Sequence, residues 1–246
     1  MITNALLKDI KSLQLKKNRQ QQQCFFVEGA KSVIELIHSD YKIKHLLGTN
    51  EFINKYSLEL GKVASEFNEI TEKQLTSIGT FKSNDMALAV AEIKPNIDFT
   101  KNNVDQLILV LDDVRDPGNL GTIVRIADWY GINKIVASET TADFYNPKVI
   151  SSTMGSFTRV KVYYTNLIDY LKDNTLPVYG AFMDGENVHN LKLARNGYLI
   201  MGNEANGISH ELEKHITNKI TIPKYGNAES LNVAIATAII CDNFYR

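Results

Sequence analysis

Short runs of four or five apolar residues alternate with helix-length segments along most of this chain, and that alternation constrains the fold more than any other feature. Residues 107–111, 134–137 and 198–201 are such runs in the second half. They lack the alternation of apolar and polar residues that marks a half-exposed strand, so they are typical of a parallel sheet covered on both faces. The intervening segments are long enough for the crossover helices that parallel strands require. The sequence therefore predicts an α/β fold.

The alternation occurs twice, on either side of a polar segment. Residues 95–103 contain Pro95 and three asparagines and have no apolar period, which is typical of a linker. A length of 246 residues is enough for two ordinary domains. The sequence therefore predicts an N-terminal α/β domain at residues 1–94, a linker at 95–103 and a second α/β domain at 104–246.

Charge is distributed unevenly along the chain. The formal net charge is −1, but the first 48 residues hold 8 basic and 4 acidic side chains. A basic N-terminal part is compatible with a phosphate-bearing partner, and equally with an ordinary solvated helix. Residues 16–23 within it carry four consecutive glutamines and are predicted to form an exposed connector. Both interpretations of the charge stay open at this point.

Several kinds of site are excluded by motifs that the sequence lacks. No G-x-G-x-x-G lies between a strand and a helix, and no phosphate loop ends in Gly-Lys-Ser/Thr. The five histidines are scattered, and there is no H-E-x-x-H, so no metal site is predicted. Cys24 and Cys241 lie far apart in apolar surroundings and are predicted to be core residues. The sequence thus indicates a chain without metal, disulfide or dinucleotide chemistry.

The compartment is predicted from the absence of targeting and spanning segments. The N-terminus lacks an apolar signal region followed by a small-residue cleavage site. No apolar run reaches the roughly 18 residues needed to cross a bilayer. We therefore expect a cytoplasmic protein with no membrane partner.

Three loops of the second half carry the residues best suited to binding. In open parallel sheets, ligands bind beyond the carboxyl ends of the strands. Loop 112–118 leads into a helix that Asn119 is predicted to cap, and Trp129 at the end of that helix is predicted to pack. Loop 202–207 has a glycine at each end. Loop 222–232 precedes an apolar helix, predicted to be buried all round and capped by Glu229 or Ser230.

Together these loops resemble the SpoU (TrmH-like) family of RNA 2′-O-ribose methyltransferases in the SPOUT superfamily. The matching motifs are Asp116-Pro117-x-Asn119-x-Gly121-x-x-x-Arg125, Gly202-Asn203-Glu204-x-x-Gly207, and Ile222-Pro223 followed by Ser230-Leu231-Asn232. In the N-terminal half, Arg19 and the stretch from Phe25 to Gly29 are similar to the family's substrate-binding domain, which itself is similar to ribosomal protein L30e. Family members often have Arg where this chain has Ser151, so the sequence departs from the pattern there.

The resemblance implies a fold, a cofactor and a partner. The fold would be an L30e-like N-terminal domain and a C-terminal SPOUT domain with a parallel sheet and a deep trefoil knot. The implied cofactor is S-adenosylmethionine, without a metal, and the C-terminal domain would form a homodimer. RNA is the implied substrate. The extra L30e-like domain favours ribosomal RNA over tRNA, and a non-catalytic RNA-binding homologue is the remaining alternative.

The resemblance also assigns site residues. The implied catalytic residues are Asn119, Arg125, Glu204, Ser230 and Asn232. The implied cofactor-binding residues are Met201, Gly202, Asn203, Ile222, Pro223 and Leu231. By this resemblance, Arg125 is the proposed activator of the ribose 2′-hydroxyl. Because a guanidinium with a pKa above about 12 is a poor base, we expect Arg125 to orient the ribose and stabilise developing charge. A structural ion pair with Asp112, Asp113 or Asp116 is the alternative for this residue.

Overall fold

The computed structural model describes residues 2–61, 67–84, 86–98 and 106–246. Their contacts define two compact units. Unit 1 comprises the described residues up to Pro95 together with Tyr145–Thr158, and unit 2 comprises those of Asn96–Phe144 and Arg159–Arg246. The segment 145–158, which the sequence assigns to the second domain, therefore groups with unit 1. Residues 99–103 of the predicted linker lie outside the described residues, and Asn96 is bonded to the backbone of Tyr164 in unit 2.

The described chain up to Pro95 forms a mixed sheet surrounded by short helices. Its elements are α1 (Asn4–Ser12), α2 (Lys16–Gln22), β1 (Cys24–Glu28), α3 (Ala30–Ile37), β2 (Ile43–Gly48), α4 (Asn50–Lys55), α5 (Ser57–Leu60), β3 (Phe67–Glu69), α6 (Glu72–Ile78) and β4 (Ala87–Glu92). Among the described residues the strand order is β1-β4-β2-β3, with β4 antiparallel to both of its neighbours and β3 parallel to β2.

The second half of the chain builds a larger sheet. Its elements are β5 (Leu107–Leu111), α7 (Pro117–Trp129), β6 (Lys134–Ala137), α8 (Pro147–Ser152), β7 (Lys161–Tyr164), α9 (Leu167–Leu171), β8 (Val178–Asn187), β9 (Gly197–Met201), α10 (His210–Glu213), β10 (Asn218–Thr221) and α11 (Val233–Tyr245). All of these except α8 lie in unit 2. The described strands follow the order β10-β8-β9-β5-β6-β7, and every neighbouring pair is parallel. The predicted two-domain α/β class with a parallel sheet is confirmed.

The core of unit 1 includes the segment 145–158. Phe25 of β1 is fully buried, and its ring centroid lies 4.7 Å from that of Tyr145 and 6.1 Å from that of Phe157.

The prediction that residues 16–23 form an exposed connector is wrong, because the segment forms helix α2. Arg19 of this helix is 2% exposed and donates from Nη1 to the carbonyls of Leu13 and Gln14.

In unit 2 the strands β5 and β9 are buried along their whole length. Helix α11 packs against α7 and is buried on one face only, because Ile235 is 52% exposed on the other. The prediction that this helix is buried all round is therefore wrong within the single chain.

None of the described helices has the length and hydropathy needed to cross a bilayer. The trefoil knot stays a prediction.

Candidate active site

Two of the three motif loops are bound to each other at the carboxyl edge of the parallel sheet, where β5 and β9 end side by side. The side-chain amide of Asn203 donates to the backbone carbonyl of Asp113 at 2.8 Å. The backbone N–H of Ser209 donates to the Asp112 carboxylate at 2.7 Å. These two hydrogen bonds tie the chain that follows β9 to the loop that follows β5 and satisfy polar groups of both.

The loop after β9 closes on itself and requires glycine at two positions. Asn203 and Gly207 exchange both backbone hydrogen bonds at 2.9 Å. Gly207 has a φ of 69°, in the left-handed region that favours glycine. A Cβ at Gly202 would lie 2.2 Å from the carbonyl carbon of Gly207. The close approach of the backbone at Gly202 to that at Gly207 explains why the motif has glycine at both ends of this loop.

A hydrogen-bonded line of three side chains joins all three motif loops. Nδ2 of Asn119 donates to Oε1 of Glu204 at 2.7 Å, and Nδ2 of Asn232 donates to Oδ1 of Asn119 at 2.9 Å. Because an ionised carboxylate only accepts, the first bond sets which way the Asn119 amide points, and the second then sets Asn232. Oδ1 of Asn232 accepts from the backbone N–H of Ala234 at 2.9 Å. We call Asn232–Asn119–Glu204 the amide line.

The two helices that begin at this site are capped by residues other than those predicted. Asp116, not Asn119, is the N-cap of α7, and its carboxylate accepts from the backbone N–H of Asn119 at 2.9 Å. Asn232, not Glu229 or Ser230, is the N-cap of α11, because the chain becomes helical only at Val233. The side chains of Asn119 and Ser230 are therefore left for other contacts.

A cavity of about 940 Å³ opens beside the amide line. It is enclosed by the loops after β9 and β10, the middle of β8 and the start of α11. Its floor is apolar, since Met201, Ile220 and Ile240 are nearly fully buried there. The predicted site residues that line it are Met201, Gly202, Asn203, Glu204, Ile222, Pro223, Ser230 and Leu231. The volume is near the upper end of the roughly 300–1,000 Å³ of small-molecule sites.

Comparison with known families decides what kind of site this is. Residues 106–242, more than half of the chain, match the sequence model of the SpoU rRNA Methylase family. The chain belongs to this family. Residues 4–89 match a second model, the MRM3-like substrate binding domain. The resemblance drawn from the three motifs is confirmed.

Relatives match the SpoU-family chain over nearly its whole length. It is 32% identical over 241 residues to the 23S rRNA (guanosine(2553)-2′-O)-methyltransferase RlmP of Bacillus subtilis, with 96% of this chain and 94% of that protein covered. A TrmH-family protein from Porphyromonas gingivalis is 36% identical with a TM-score of 0.85, covering 99% and 98%. An AdoMet-bound rRNA methyltransferase from Sinorhizobium meliloti is 29% identical with a TM-score of 0.88, covering 99% and 95%.

The charged residues that line the cavity of this SpoU-family chain are mostly acidic. Asp184, Glu204 and Glu229 contribute three carboxylates, and Lys224 contributes one ammonium. An excess of negative charge around a concave site raises the local concentration of cationic ligands. The cavity therefore favours a small molecule with net positive charge. Among the described residues no group of His, Cys, Asp and Glu side chains is arranged to hold a metal ion.

Arg125 lies on the exposed side of α7 and does not line the cavity. Among the residues that the structure describes, its side chain makes no hydrogen bond or ion pair. Each of its three candidate acidic partners is engaged elsewhere. The Arg115 guanidinium, 2.8 Å from Asp113, holds the pKa of that carboxyl below its usual value. Asp112 accepts from a backbone N–H and Asp116 caps α7. The described contacts therefore give no support to the structural ion pair.

Two features of the site were missed by sequence reasoning. The first is the outer half of β8, which brings Met183 and Asp184 to the cavity although the predicted strand ends at Ala181. Gly185 is the only signal there, because a Cβ would lie 2.6 Å from the backbone of Ile220 in β10, and that approach is visible only in three dimensions. The second is Tyr225, an exposed aromatic residue on the cavity lining.

Proposed function

We propose that this chain transfers a methyl group from S-adenosylmethionine to a ribose 2′-hydroxyl of RNA, and that large-subunit (23S) ribosomal RNA is the substrate. The observation that carries the proposal is the amide line, which holds polar residues of three motif loops beside a cavity suited to a cationic ligand. Membership of the SpoU family and the named activity of the Bacillus subtilis relative support it.

The cavity has the properties that S-adenosylmethionine requires. Its apolar floor suits an adenosyl group, and the excess of acidic residues on its lining suits a ligand that carries sulfonium and ammonium charges. When bound, this cofactor supplies an activated methyl group on sulfur. The residues that we assign to hold it are Met201, Gly202, Asn203, Ile222, Pro223 and Leu231.

The amide line acts by positioning. Asn119 and Asn232 are each held by a donor or acceptor on both sides, so their polar atoms are fixed before RNA arrives. Fixed polar groups lower the entropy that is lost when a reactant is brought into line. Ser230 lines the cavity, and its hydroxyl makes no hydrogen bond among the described residues. We assign it to bind the incoming ribose.

We assign Arg125 to orient the ribose and its phosphate and to stabilise negative charge developing on the 2′-oxygen. It lies six residues beyond Asn119, about 9 Å along the axis of α7. Long side chains on a helix point back toward its N-terminus, so we expect the guanidinium to point toward the motif loop. A guanidinium stays protonated and offers a planar fork of donors, which suits charge stabilisation better than proton removal.

The choice of RNA is tested by mapping 2′-O-methylation across rRNA and tRNA in cells with and without this protein. We expect one methyl mark to disappear from 23S rRNA, because the N-terminal part matches a substrate-binding model and the Bacillus subtilis relative is named for 23S rRNA. A mark lost from tRNA would favour the tRNA alternative. Unchanged methylation everywhere would favour a non-catalytic RNA-binding homologue.

We also propose a division of labour and a homodimer. Residues 1–94 bind RNA, and residues 104–246 carry out methyl transfer and dimerise. Trp129 on α7 is 84% exposed, against the prediction that it packs, and Ile235 on the contacting helix α11 is 52% exposed. Exposed apolar side chains on both helices suit contact with a second copy of the chain. Sedimentation of Trp129→Glu should show monomers. The cytoplasm stays the expected compartment.

A further inference from the structure

The loop between β10 and α11 carries one aromatic side chain that lies almost entirely in solvent. Tyr225 is 94% exposed, and it belongs to the lining of the cavity. A tyrosine ring contributes a large apolar contact area when it is covered. The ring of Tyr225 makes no aromatic or cation–π contact among the described residues. Its contact area is therefore available to a molecule outside the chain.

The position of Tyr225 distinguishes it from the cofactor-binding part of the cavity. The floor is formed by Met201, Ile220 and Ile240, which are nearly fully buried, whereas Tyr225 is on the exposed rim. Next to it in the chain is Lys224, the one basic residue among the described residues of the lining, which also include three carboxylates. Lys224 is exposed and makes no ion pair among the described residues. The ammonium group of a lysine repels a cationic cofactor, whereas it attracts a phosphate.

We propose that Tyr225 is a platform on which one base of the substrate RNA stacks, and that Lys224 contacts a phosphate of the same strand. The inference rests on the proposed function and adds a nucleotide-binding element to it. Stacking on an aromatic ring tolerates any base, because every base has a π face. The pair would therefore hold a nucleotide at the cavity rim without selecting its identity. Selection of the target would remain with contacts elsewhere on the RNA.

The test measures direct binding of the full-length protein, without cofactor, to a single-stranded RNA of about ten nucleotides that carries one 2-aminopurine. We expect Tyr225→Ala and Tyr225→Leu to weaken binding about tenfold or more, and Tyr225→Phe to stay within about twofold of the unmodified protein. Quenching of 2-aminopurine fluorescence, which reports stacking, should persist only with Tyr or Phe. Lys224→Gln should lower the slope of log Kd against log salt by about 0.7, the value for one phosphate contact on a single strand.

Calorimetry with S-adenosylmethionine and sedimentation provide the controls, since all Tyr225 variants should keep cofactor affinity and oligomeric state. If Tyr225→Ala bound RNA as well as the unmodified protein, the inference alone would be overturned. A weaker affinity for S-adenosylmethionine would instead assign the ring to the adenine, and a change of oligomeric state would assign it to a second copy of the chain. If the unmodified protein bound neither this RNA nor a 23S transcript, the proposed function would fall as well.

Discussion

In unit 1 the charged side chains with the least solvent exposure are bound by the unit itself, whereas in unit 2 two of the predicted catalytic side chains keep their hydrogen-bonding capacity for a ligand. Arg19 is buried and donates to two backbone carbonyls. Glu28, also buried, accepts from the backbone N–H groups of Thr80 and Phe81. In unit 2, Ser230 and Arg125 are exposed, and their side chains make no hydrogen bond among the described residues.

The difference separates structural from functional polar groups. A buried charge is tolerated only when it is hydrogen-bonded, so Arg19 and Glu28 are explained by the loops that they hold. An exposed polar group at a cavity needs no internal partner and can bind a ligand instead. Variants of buried residues in unit 1 should therefore change the free energy of unfolding, and variants at the cavity of unit 2 should change turnover.

The largest effect is expected for Phe25→Ala in unit 1. Phe25 is fully buried between Tyr41, Tyr145 and Phe157, and removing a buried aromatic side chain costs about 3–5 kcal/mol. The free energy of unfolding, measured by urea denaturation, should fall by that amount. Binding of S-adenosylmethionine to the folded protein should be unchanged.

Phe81→Ala is the matched control, because Phe81 lies in the same unit but is 37% exposed. Its effect on unfolding should be clearly smaller. If the two variants unfolded at the same urea concentration, the segment 145–158 would not be part of the core of unit 1.

The next effect is expected for Arg125→Ala in unit 2. Loss of one preorganised charge-stabilising donor should raise the barrier to methyl transfer by about 2–4 kcal/mol. Cofactor affinity and melting temperature should hardly change, since Arg125 makes no ion pair among the described residues. Arg125→Lys should rescue little, because an ammonium lacks the planar fork of donors. Single-turnover methylation, normalised to folded protein, measures the effect.

Arg246→Ala is the control for the loss of an exposed arginine. Arg246 lies at the end of α11, where it is paired with Asp242. It should methylate RNA at the unmodified rate. A stable, cofactor-binding Arg125→Ala with that same rate would refute the catalytic assignment.

The centre of unit 2 could be predicted from the sequence because strands β5 and β9 are buried along their whole length, and burial of that kind dictates apolar runs. The outer half of β8 does not follow, since its residues are mixed in polarity and its pairing with β10 depends on a segment more than 30 residues away. Helix α2 was missed for a similar reason. It has no apolar period, and its one buried residue is Arg19, whose partners become apparent only in the folded chain.

The amide line could be anticipated only in part. The three motifs identify Asn119, Glu204 and Asn232, but spacing alone does not say that they contact one another. The cap of α11 was misassigned because Ser230 and Asn232 are both acceptable N-cap residues, and the choice depends on where the loop stops being extended. The grouping of 145–158 with unit 1 rests on aromatic contacts across more than 100 residues of sequence.

A smaller effect separates the two roles of Asn232. Its Oδ1 caps α11 and its Nδ2 holds Asn119. Asn232→Ser keeps a capping oxygen but loses the Nδ2 group that reaches Asn119, so it should keep its melting temperature while methyl transfer slows. Asn232→Ala should lose both, with about 1 kcal/mol less stability from the missing cap. Thermal melting and single-turnover rates of the two variants should therefore diverge. Equal rates for Asn232→Ser and the unmodified protein would show that the amide line is structural.

The smallest effect is expected for the two cysteines, which report on one unit each. Cys24 lies in β1 of unit 1 and Cys241 in α11 of unit 2, and both are buried. Burial raises the pKa of each thiol, to about 12 for Cys241. Because the thiolate is the reactive form and a raised pKa keeps the thiol neutral, iodoacetamide at pH 8 should modify neither residue in the native protein and both in urea.

In Phe25→Ala near its unfolding midpoint, Cys24 should react while Cys241 stays protected, and mass spectrometry can distinguish the two labelled sites. Simultaneous labelling of the two cysteines would mean that the units unfold together, and the comparison between them would then hold for polar groups but not for stability.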